Sequence, residues 1–525
     1  MSKRPGIFND VIGPIMRGPS SSHTAASWRA AKISMDILNE PLKRAVIDFD
    51  KDGAWAPNYR EQGTTIGIEG GLLGLDMTDD RIKNTETISE ERGISITYEV
   101  NTYLTNHVNT FRLKLEGTNE KKSVITAVSL GGGAFEIRNI DGFEVSINGG
   151  SYELLLFDAD DNIQLEDISA ICSGGKLIKD SSVENRRLIQ LRFSSKVPDS
   201  IINELREKTS IRELITTNPI LPIVQGNESE LPFLTVAELI EFAENNNMDL
   251  AAMGLLYEQC QSGLDKAEVR EQMKYIVDII EQSIKTGLLG TNYEDRILPQ
   301  QSHLIERAAQ KREILDNSIV NRIIENVSAI MESKSAMEVV VANPTAGSCG
   351  AVGGVLRAVA VDINASNEEV LQAYFAAGII GVYFAMGPGF SAEEHGCQVE
   401  CGASAGMAAA GIVQLFGGTV KQAIDAASMA IQNMIGLICD PIADRVEAPC
   451  LGKNVSAAMN ALSSATMVRA GYNALIPLDE VIQTVSTVSL QMPTCNKCTG
   501  KGGLAITKTA CALKEQMALK SKVAT

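Results

Sequence analysis

The spacing of hydrophobic residues changes along the chain and divides it into three regions. In residues 1–147, helix and strand patterns are mixed: residues 25–38 have apolar side chains at helical spacing, and residues 45–49 alternate like a strand. Adjacent glycines at 70–71 and 131–133 indicate tight turns or a close approach between backbones. We therefore predict an N-terminal α+β domain over residues 1–147.

The second region, residues 148–227, alternates between strand and helix patterns. Residues 152–157 and 188–193 are typical of strands, residues 163–171 of a helix, and residues 199–200 offer an N-cap for a further helix. This order of elements resembles that of an ACT regulatory domain, which implies a small α+β module with a regulatory role.

The third region, residues 228–525, is predicted to be mostly helical. Several prolines within residues 208–235 indicate a linker, after which Thr235-Val-Ala-Glu238 matches a capping box and residues 265–286 have a long helical pattern. The predicted fold class is an α+β N-terminal domain and an ACT-like α+β module, followed by a mostly α-helical domain.

Two stretches without charge, residues 370–392 and 401–420, are long enough to suggest membrane helices. Both are rich in Gly, Ala and Ser, and Glu369, Glu393 and Glu400 flank them. These features favour buried helices that pack through small side chains. The N-terminus has no apolar segment typical of a signal peptide, so we expect a cytoplasmic protein with no membrane partner.

Composition and charge narrow the classes of function. Of the 525 residues, 44% are hydrophobic and 21% are charged, which excludes a mostly disordered chain. The net charge of −18 repels phosphate backbones and anionic membranes. We therefore expect a small-molecule substrate and no nucleic-acid partner, and the resemblance to a regulatory module that commonly pairs implies a homodimer.

Cysteines are concentrated in the last third of the chain. Eight of the ten lie at or after Cys349, and without an export signal disulfides are not expected. Cys495-x-x-Cys498 is a weak indication of a redox or zinc site, and thiols on loops between helices also suit an iron–sulfur cluster. The spacing alone does not choose between zinc, redox and iron–sulfur chemistry.

A second candidate site lies near the N-terminus, in the segment Gly18-Pro-Ser-Ser-Ser-His-Thr24. Its hydroxyls and backbone N–H groups precede a predicted helix, and a helix N-terminus favours anions such as a carboxylate. The alternative is an ordinary serine-rich helix cap.

Five motifs taken together resemble the iron–sulfur-dependent L-serine dehydratases. The motifs are Gly18-Pro-Ser-Ser-Ser-His-Thr24, Pro344-Thr-Ala-Gly-Ser-Cys-Gly350, Gly396-Cys-Gln-Val-Glu-Cys-Gly402, Cys439-Asp-Pro441 with Pro449-Cys450, and Gly502-Gly-Leu-Ala505. They occur in the order found in the family. The chain is similar to a fused form of the two-subunit bacterial type, with the ACT-like module between the halves.

This resemblance implies a [4Fe-4S] cluster held by Cys397, Cys439 and Cys450, with the fourth iron left open. It also implies that Ser20, Ser21, Ser22 and Thr24, with His23, bind the substrate carboxylate. The implied reaction eliminates water from L-serine and gives pyruvate and ammonia. In some relatives a C-terminal cysteine caps the open iron, and Cys511 stands at about the matching distance, although fourteen residues follow it.

The chain departs from the family pattern at positions expected near the substrate. The family's Gly-His-Gly-Thr-Asp, whose histidine is the expected base, is replaced by Arg60-Glu-Gln-Gly-Thr-Thr65, and Gln62 cannot accept a proton at neutral pH. The family's Arg-Glu-Thr-Gly reads Lys497-Cys-Thr-Gly500 here, and Asp444 and Arg445 replace small residues.

His395, beside the Cys397 motif, is the candidate replacement base, and His23 is the candidate substrate binder. The alternative for His395 is a histidine that only packs beside the cluster. The departures keep two other functions open. One is a related lyase acting on another β-hydroxy or β-thiol amino acid or on a hydroxy acid. The other is a non-catalytic sensor that carries the cluster.

Overall fold

The structure, a computed structural model, describes residues 4–157, 164–208, 211–315 and 317–523. It confirms the coarse fold class, because an N-terminal region built on sheets is followed by a mostly helical C-terminal region. Short 3-10 and π turns lie between the longer elements, at Ile7–Val11, Ser21–Ala25, Asp80–Asn84, Ala346–Ser348, Cys397–Val399, Ile442–Asp444, Thr494–Asn496 and Gly503–Ile506.

The N-terminal region is a six-stranded sheet whose inner face is covered by a helix. Its elements are β1 (Ile15–Met16), α1 (Ala26–Leu38), β2 (Leu42–Asp50), α2 (Thr64–Leu72), α3 (Thr85–Glu91), β3 (Ser95–Asn101), β4 (Thr110–Gly117), β5 (Lys122–Gly131), β6 (Ala134–Ile140) and β7 (Phe143–Ile147). The strand order is β3-β2-β4-β5-β6-β7, and only β2 and β3 run parallel. Helix α1 and strand β2 confirm the predictions for residues 25–38 and 45–49.

The second region is a four-stranded antiparallel sheet with two helices. Its elements are β8 (Tyr152–Phe157), α4 (Leu165–Ile171), β9 (Lys176–Val183), β10 (Arg186–Phe193), α5 (Asp199–Lys208) and β11 (Glu213–Thr217). The strand order β11-β8-β10-β9 with βαββαβ connectivity is the ferredoxin-like arrangement. The first residue of the helix predicted over 163–171 lies outside the described residues.

The third region is a helical bundle. Its elements are α6 (Val236–Asn246), α7 (Leu250–Ser262), α8 (Lys266–Leu289), α9 (His303–Gln310), α10 (Ser318–Ser335), β12 (Val340–Val341), α11 (Cys349–Asp362), α12 (Asn367–Met386), α13 (Ala392–His395), α14 (Cys401–Leu415), α15 (Val420–Gln432), α16 (Cys450–Arg469), α17 (Leu478–Gln491) and α18 (Lys508–Val523). Thr235 and Glu238 form the predicted capping box at the start of α6.

Helix α14 lies at the centre of this bundle and packs against α11, α12, α15 and α16. Fourteen of its fifteen residues are buried, which Gly, Ala and Ser side chains permit by letting neighbouring helices approach closely. The two uncharged stretches are therefore buried core helices, as predicted. Helix α12 has the length and composition of a membrane span, and 78% of its apolar window is buried inside the protein.

The first described residues pack into the helical bundle rather than onto the six-stranded sheet. Ile7 and Val11 are fully buried against α12, where Gly378 and Gly381 leave room for their side chains. Strand β1 pairs antiparallel with β12. The N-terminal segment thus joins the two halves of the chain, a contact that local sequence patterns do not reveal.

Ala409, at the middle of α14, is fully buried. We expect Ala409→Leu to lower the free energy of unfolding by about 1–3 kcal/mol, because the larger side chain overpacks the bundle. Urea unfolding followed by circular dichroism measures the change. The control is Ala512→Leu on the exposed face of α18, which should stay within about 0.5 kcal/mol of wild type; equal effects in the two variants would contradict the packing argument.

Candidate active site

The motifs singled out in the sequence meet where the six-stranded sheet region faces the helical bundle. The hydroxyl of Ser21 accepts a hydrogen bond from the backbone N–H of Ala346, at 3.2 Å. The hydroxyl of Thr24 donates to the carbonyl of Gln62, at 3.1 Å. Segments distant in sequence therefore form one site, in which hydroxyls from the N-terminal half face the helical half.

The serine-rich segment forms a turn that leads into α1. Ser20 is its N-cap and accepts a hydrogen bond from the backbone N–H of His23, at 3.3 Å. All five predicted binding residues are buried, at 8% exposure or less: Ser20, Ser21, Ser22, His23 and Thr24. The turn thus serves as a helix cap, and its hydroxyls lie inside the protein beside the helical half.

His23 is held on several sides. Its ring stacks on Trp55 with the ring centroids 4.9 Å apart, and its Nδ1 lies 3.2 Å from the hydroxyl of Ser20. Nδ1 also lies 3.5 Å from a carboxylate oxygen of Glu393. On the other side of the ring, the side-chain amide of Asn58, in the orientation that satisfies its hydrogen bonds, donates to Nε2 at 3.2 Å and accepts from Gln62 Nε2 at 3.0 Å.

Burial sets the protonation of this pair. Burial lowers the pKa of His23 to about 3, although the hydrogen bond with Asn58 raises it in part. The imidazole is therefore neutral near pH 7. Burial also raises the pKa of Glu393 to about 7. A carboxyl that titrates near neutrality beside a neutral histidine suits proton transfer. The sequence patterns identified Glu393 only as a charge that flanks an uncharged stretch. Its position three residues before the motif at Gly396 was the available signal.

The three predicted cluster ligands come together in one buried pocket. Cys397, Cys439 and Cys450 are each 7% exposed or less. Hydrogen bonds with Cys397 and Cys498 raise the pKa of Cys439 well above its usual value. Burial, and then the charge of Cys397, raises the pKa of Cys450. Cys401 lies in the same pocket, where burial and then Cys397 raise its pKa.

Two lysines lie beside these thiols, one fully buried and one with 14% of its side chain exposed. Lys453 donates to a carboxylate oxygen of Asp440 at 2.6 Å; burial favours its neutral form, but Cys397 and Asp440 raise the pKa above its usual range. Lys334 is fully buried, donates to the carbonyl of Val446, and its charge lowers the pKa of Cys450 against the effect of burial. These cations offset negative charge from ionised thiols or a cluster.

The thiol pocket fits an iron–sulfur cluster in the type and burial of its donors. Iron–sulfur clusters are held by cysteine thiolates, and buried thiols that oppose one another's ionisation become stable anions when metal is bound. Within the described residues, no group of three or more His, Cys, Asp or Glu side chains is placed so that it could hold a single metal ion. A cluster makes a different demand, because each thiolate reaches a different iron.

The remaining predicted residues differ in their surroundings. His395 ends α13 and is half-buried, and its Nδ1 has no hydrogen-bond partner among the described residues. Burial lowers the pKa of His395 below 6.5. Cys511 is exposed on α18, in contrast to the buried thiols of the pocket.

The fold and the site define a two-part protein in which a sheet region and a helical, thiol-rich region share one buried centre. The sequence model of the family described as serine dehydratase alpha chain matches residues 196–505, more than half of the chain. An L-serine dehydratase of Streptomyces coelicolor is 30% identical over 512 residues, which cover 94% of this chain and 97% of that relative. The chain belongs to the serine dehydratase family.

Two further relatives match about half of the chain. A probable L-serine dehydratase alpha chain of Bacillus subtilis is 33% identical over 285 residues, which cover 54% of this chain and 95% of the relative. L-serine dehydratase 1 of Escherichia coli is 31% identical over 286 residues, which cover 52% of this chain and 62% of the relative. The family resemblance stated from the motifs is therefore confirmed.

Glu393→Gln should change how stability depends on pH. A carboxyl whose pKa rises from 4.5 to about 7 on folding stabilises the fold less as pH increases, because the unfolded chain ionises first. The loss begins near pH 4.5 and is complete above pH 7, at roughly 3 kcal/mol. The variant should therefore gain stability relative to wild type between pH 5 and pH 8, measured by urea unfolding of iron-free protein.

The matched control is Glu394→Gln, because the neighbouring Glu394 side chain is 40% exposed. It should shift the same comparison by far less. Equal pH dependence in wild type and Glu393→Gln would show that the carboxyl of Glu393 is not buried.

Proposed function

We propose that this chain is an iron–sulfur-dependent lyase that eliminates water from L-serine to give pyruvate and ammonia. The observation that carries the proposal is a series of contacts between the hydroxyl-rich segment at residues 18–24 and the buried thiols. Thr24 donates to the carbonyl of Gln62, and the side chain of Gln62 contacts Cys498, which packs with Cys397 and Cys439. Cys450, the third proposed ligand, is also buried and close enough to Cys397 to influence its pKa. The named activity of the relatives supports L-serine as the substrate.

When bound, a [4Fe-4S] cluster held by these thiols supplies an open iron, a Lewis acid for the departing hydroxyl group. Ser20, Ser21, Ser22 and Thr24, with His23, bind the substrate carboxylate at the turn before α1. The burial of this segment supports the assignment, because hydrogen bonds to a carboxylate are stronger where water is excluded. Loss of a proton and of the hydroxyl leaves aminoacrylate, whose imine hydrolyses to pyruvate and ammonia.

His395 is the proposed base that removes the proton from Cα. Its lowered pKa keeps the imidazole neutral near pH 7, the form that accepts a proton. Its Nδ1, unpartnered within the described residues, is available for that proton. His23 stays a substrate binder, because Ser20, Asn58 and Glu393 already surround its ring nitrogens.

Gln62 favours a second candidate function, a related lyase acting on another β-hydroxy or β-thiol amino acid or on a hydroxy acid. The residue stands where the family has its base, and its buried Oε1 has no partner among the described residues. A buried acceptor without a partner is costly, and a donor on a bound substrate would satisfy it.

The four-stranded module at residues 148–227 is proposed to be an ACT-like regulatory domain between an N-terminal domain at 1–147 and a helical domain at 228–525. Its βαββαβ connectivity supports this assignment. We further propose that the protein acts in the cytoplasm as a homodimer with the module at or near the interface.

The decisive experiment is an anaerobic purification, followed by iron analysis and an assay of 2-oxo acid release. The panel holds L-serine, L-threonine and L-cysteine, which would release a 2-oxo acid, and L-malate, for which fumarate is measured because loss of water from a hydroxy acid of this kind gives an alkene. We expect a brown protein that releases pyruvate from L-serine. Release from another compound alone would favour the second candidate, and a loaded protein inactive on the whole panel would favour a non-catalytic sensor.

Cys397→Ser, Cys439→Ser and Cys450→Ser should each lose the cluster, which holds about four irons per chain. The reason is that each variant removes one thiolate ligand from the buried pocket. Iron and acid-labile sulfide analysis after anaerobic reconstitution measures the loss. The control is Cys260→Ser on α7, a thiol outside the site motifs; full iron content in any one of the three variants would reject that ligand.

His395→Ala should lower turnover by at least about 100-fold, the lower end of the effect of losing a general base, with iron content unchanged. His303→Ala, at an exposed position at the start of α9, is the control and should leave turnover unchanged. Near-full turnover in His395→Ala would show that another residue is the base.

Serine dehydratase activity created by Gln62→His in an otherwise inactive protein would show that L-serine is not the native substrate.

A further inference from the structure

Cys498 is a buried thiol at the same site. It is 4% exposed and packs in one cluster with Cys397 and Cys439, two of the proposed ligands. Its side chain lies close enough to that of Cys439 to influence the pKa of that thiol. The residue stands where the family pattern has glutamate, in the segment Lys497-Cys-Thr-Gly500.

The backbone fixes Cys498 against the Cys439 segment. The N–H of Cys439 donates to the carbonyl of Asn496 at 2.8 Å, and the N–H of Cys498 donates to the carbonyl of Cys439 at 3.3 Å. Cys439 and Lys497 form an isolated parallel bridge. The position of this thiol is therefore set by the main chain and does not depend on a flexible tail.

Gln62 contacts the same thiol. Its Nε2 lies 3.8 Å from the sulfur of Cys498, within range of a weak N–H to sulfur hydrogen bond. Two of the residues that depart from the family pattern, Gln62 and Cys498, are thus in contact across 436 positions of sequence. Hydrogen bonds to a ligand sulfur orient it and tune the metal centre.

We propose that Cys498 is a fourth thiolate ligand of the cluster and that Gln62 orients it. This inference rests on the proposed function. The iron that three cysteine ligands leave open would then be bound by a fourth cysteine of the same chain. Cys511 is the competing thiol, and its exposure on α18 favours Cys498. A substrate hydroxyl would then reach that iron only by ligand exchange, in which the Cys498 thiolate would leave as the hydroxyl oxygen binds.

The loss of one iron on mild oxidation tests the assignment without measuring activity. An iron held by no protein ligand leaves readily and produces a [3Fe-4S] cluster with a characteristic electron paramagnetic resonance signal. We expect the loaded wild-type protein, treated briefly with ferricyanide, to keep its four-iron cluster. Cys498→Ala should lose about one of about four irons and give a three-iron signal approaching about one spin per cluster.

Two control variants make the result specific, and two further variants extend it. Cys495→Ser removes an exposed thiol three residues earlier, and Cys511→Ser removes the competing ligand; both should behave as wild type. Cys498→Ser, with unfolding monitored by circular dichroism, repeats the test in a variant closer in size to wild type. Gln62→Leu should retain the four-iron cluster but shift its reduction potential.

Two results would overturn the proposal. One is a three-iron signal in wild type as strong as in Cys498→Ala; the other is a change in Cys511→Ser instead of in the Cys498 variants. A wild-type protein that binds no cluster would overturn both this inference and the proposed function. A wild-type cluster whose fourth iron leaves easily would overturn this inference alone.

Discussion

The close approach of two backbone segments at Gly131 and Phe390 determines where the site forms. These residues form a parallel bridge between the end of β5 and the segment before α13. A Cβ atom at Gly131 would lie only 2.5 Å from the backbone nitrogen of Ser391, so the contact requires glycine. Glu393 follows directly after this bridge, which places its carboxyl against His23 from the other half of the chain.

Charge is the second constraint on this centre. Cys401, Cys450 and the carboxyls of Glu393 and Glu400 have raised pKa values within it, and burial is the main reason that each of them is costly to ionise. The buried Lys334 and the half-buried Lys453 supply positive charge beside them. The protein thus contains a pocket that is unfavourable for isolated anions but favourable for an anionic group that the two cations neutralise.

Local patterns predicted much of the fold. The helix at residues 25–38, the strand at residues 152–157 and the capping box at Thr235 are each determined by neighbours in sequence, and each agrees with the structure. The buried state of α12 and α14 followed from their content of small residues. These features depend on the periodicity of hydrophobic residues and on the helix and strand propensities of individual residues, both of which can be read from a single sequence.

Contacts between distant segments could not be predicted in the same way. No local signal places Glu393 beside His23, or Cys498 beside Gln62, because these contacts arise from the packing of the two halves. The motif resemblance identified three thiols of the pocket, and it could not identify a thiol that replaces a different residue type. Tertiary packing, more than spacing, selects the members of such a site.

The insertion of Ile7 and Val11 into the helical bundle has a consequence for assembly. Where the two halves of such a site reside on separate chains, their pairing depends on concentration and weakens on dilution. Here the covalent linkage gives the N-terminal segment a high effective concentration near its groove on α12. The halves of this centre therefore stay together at any dilution, and their alignment becomes a property of folding.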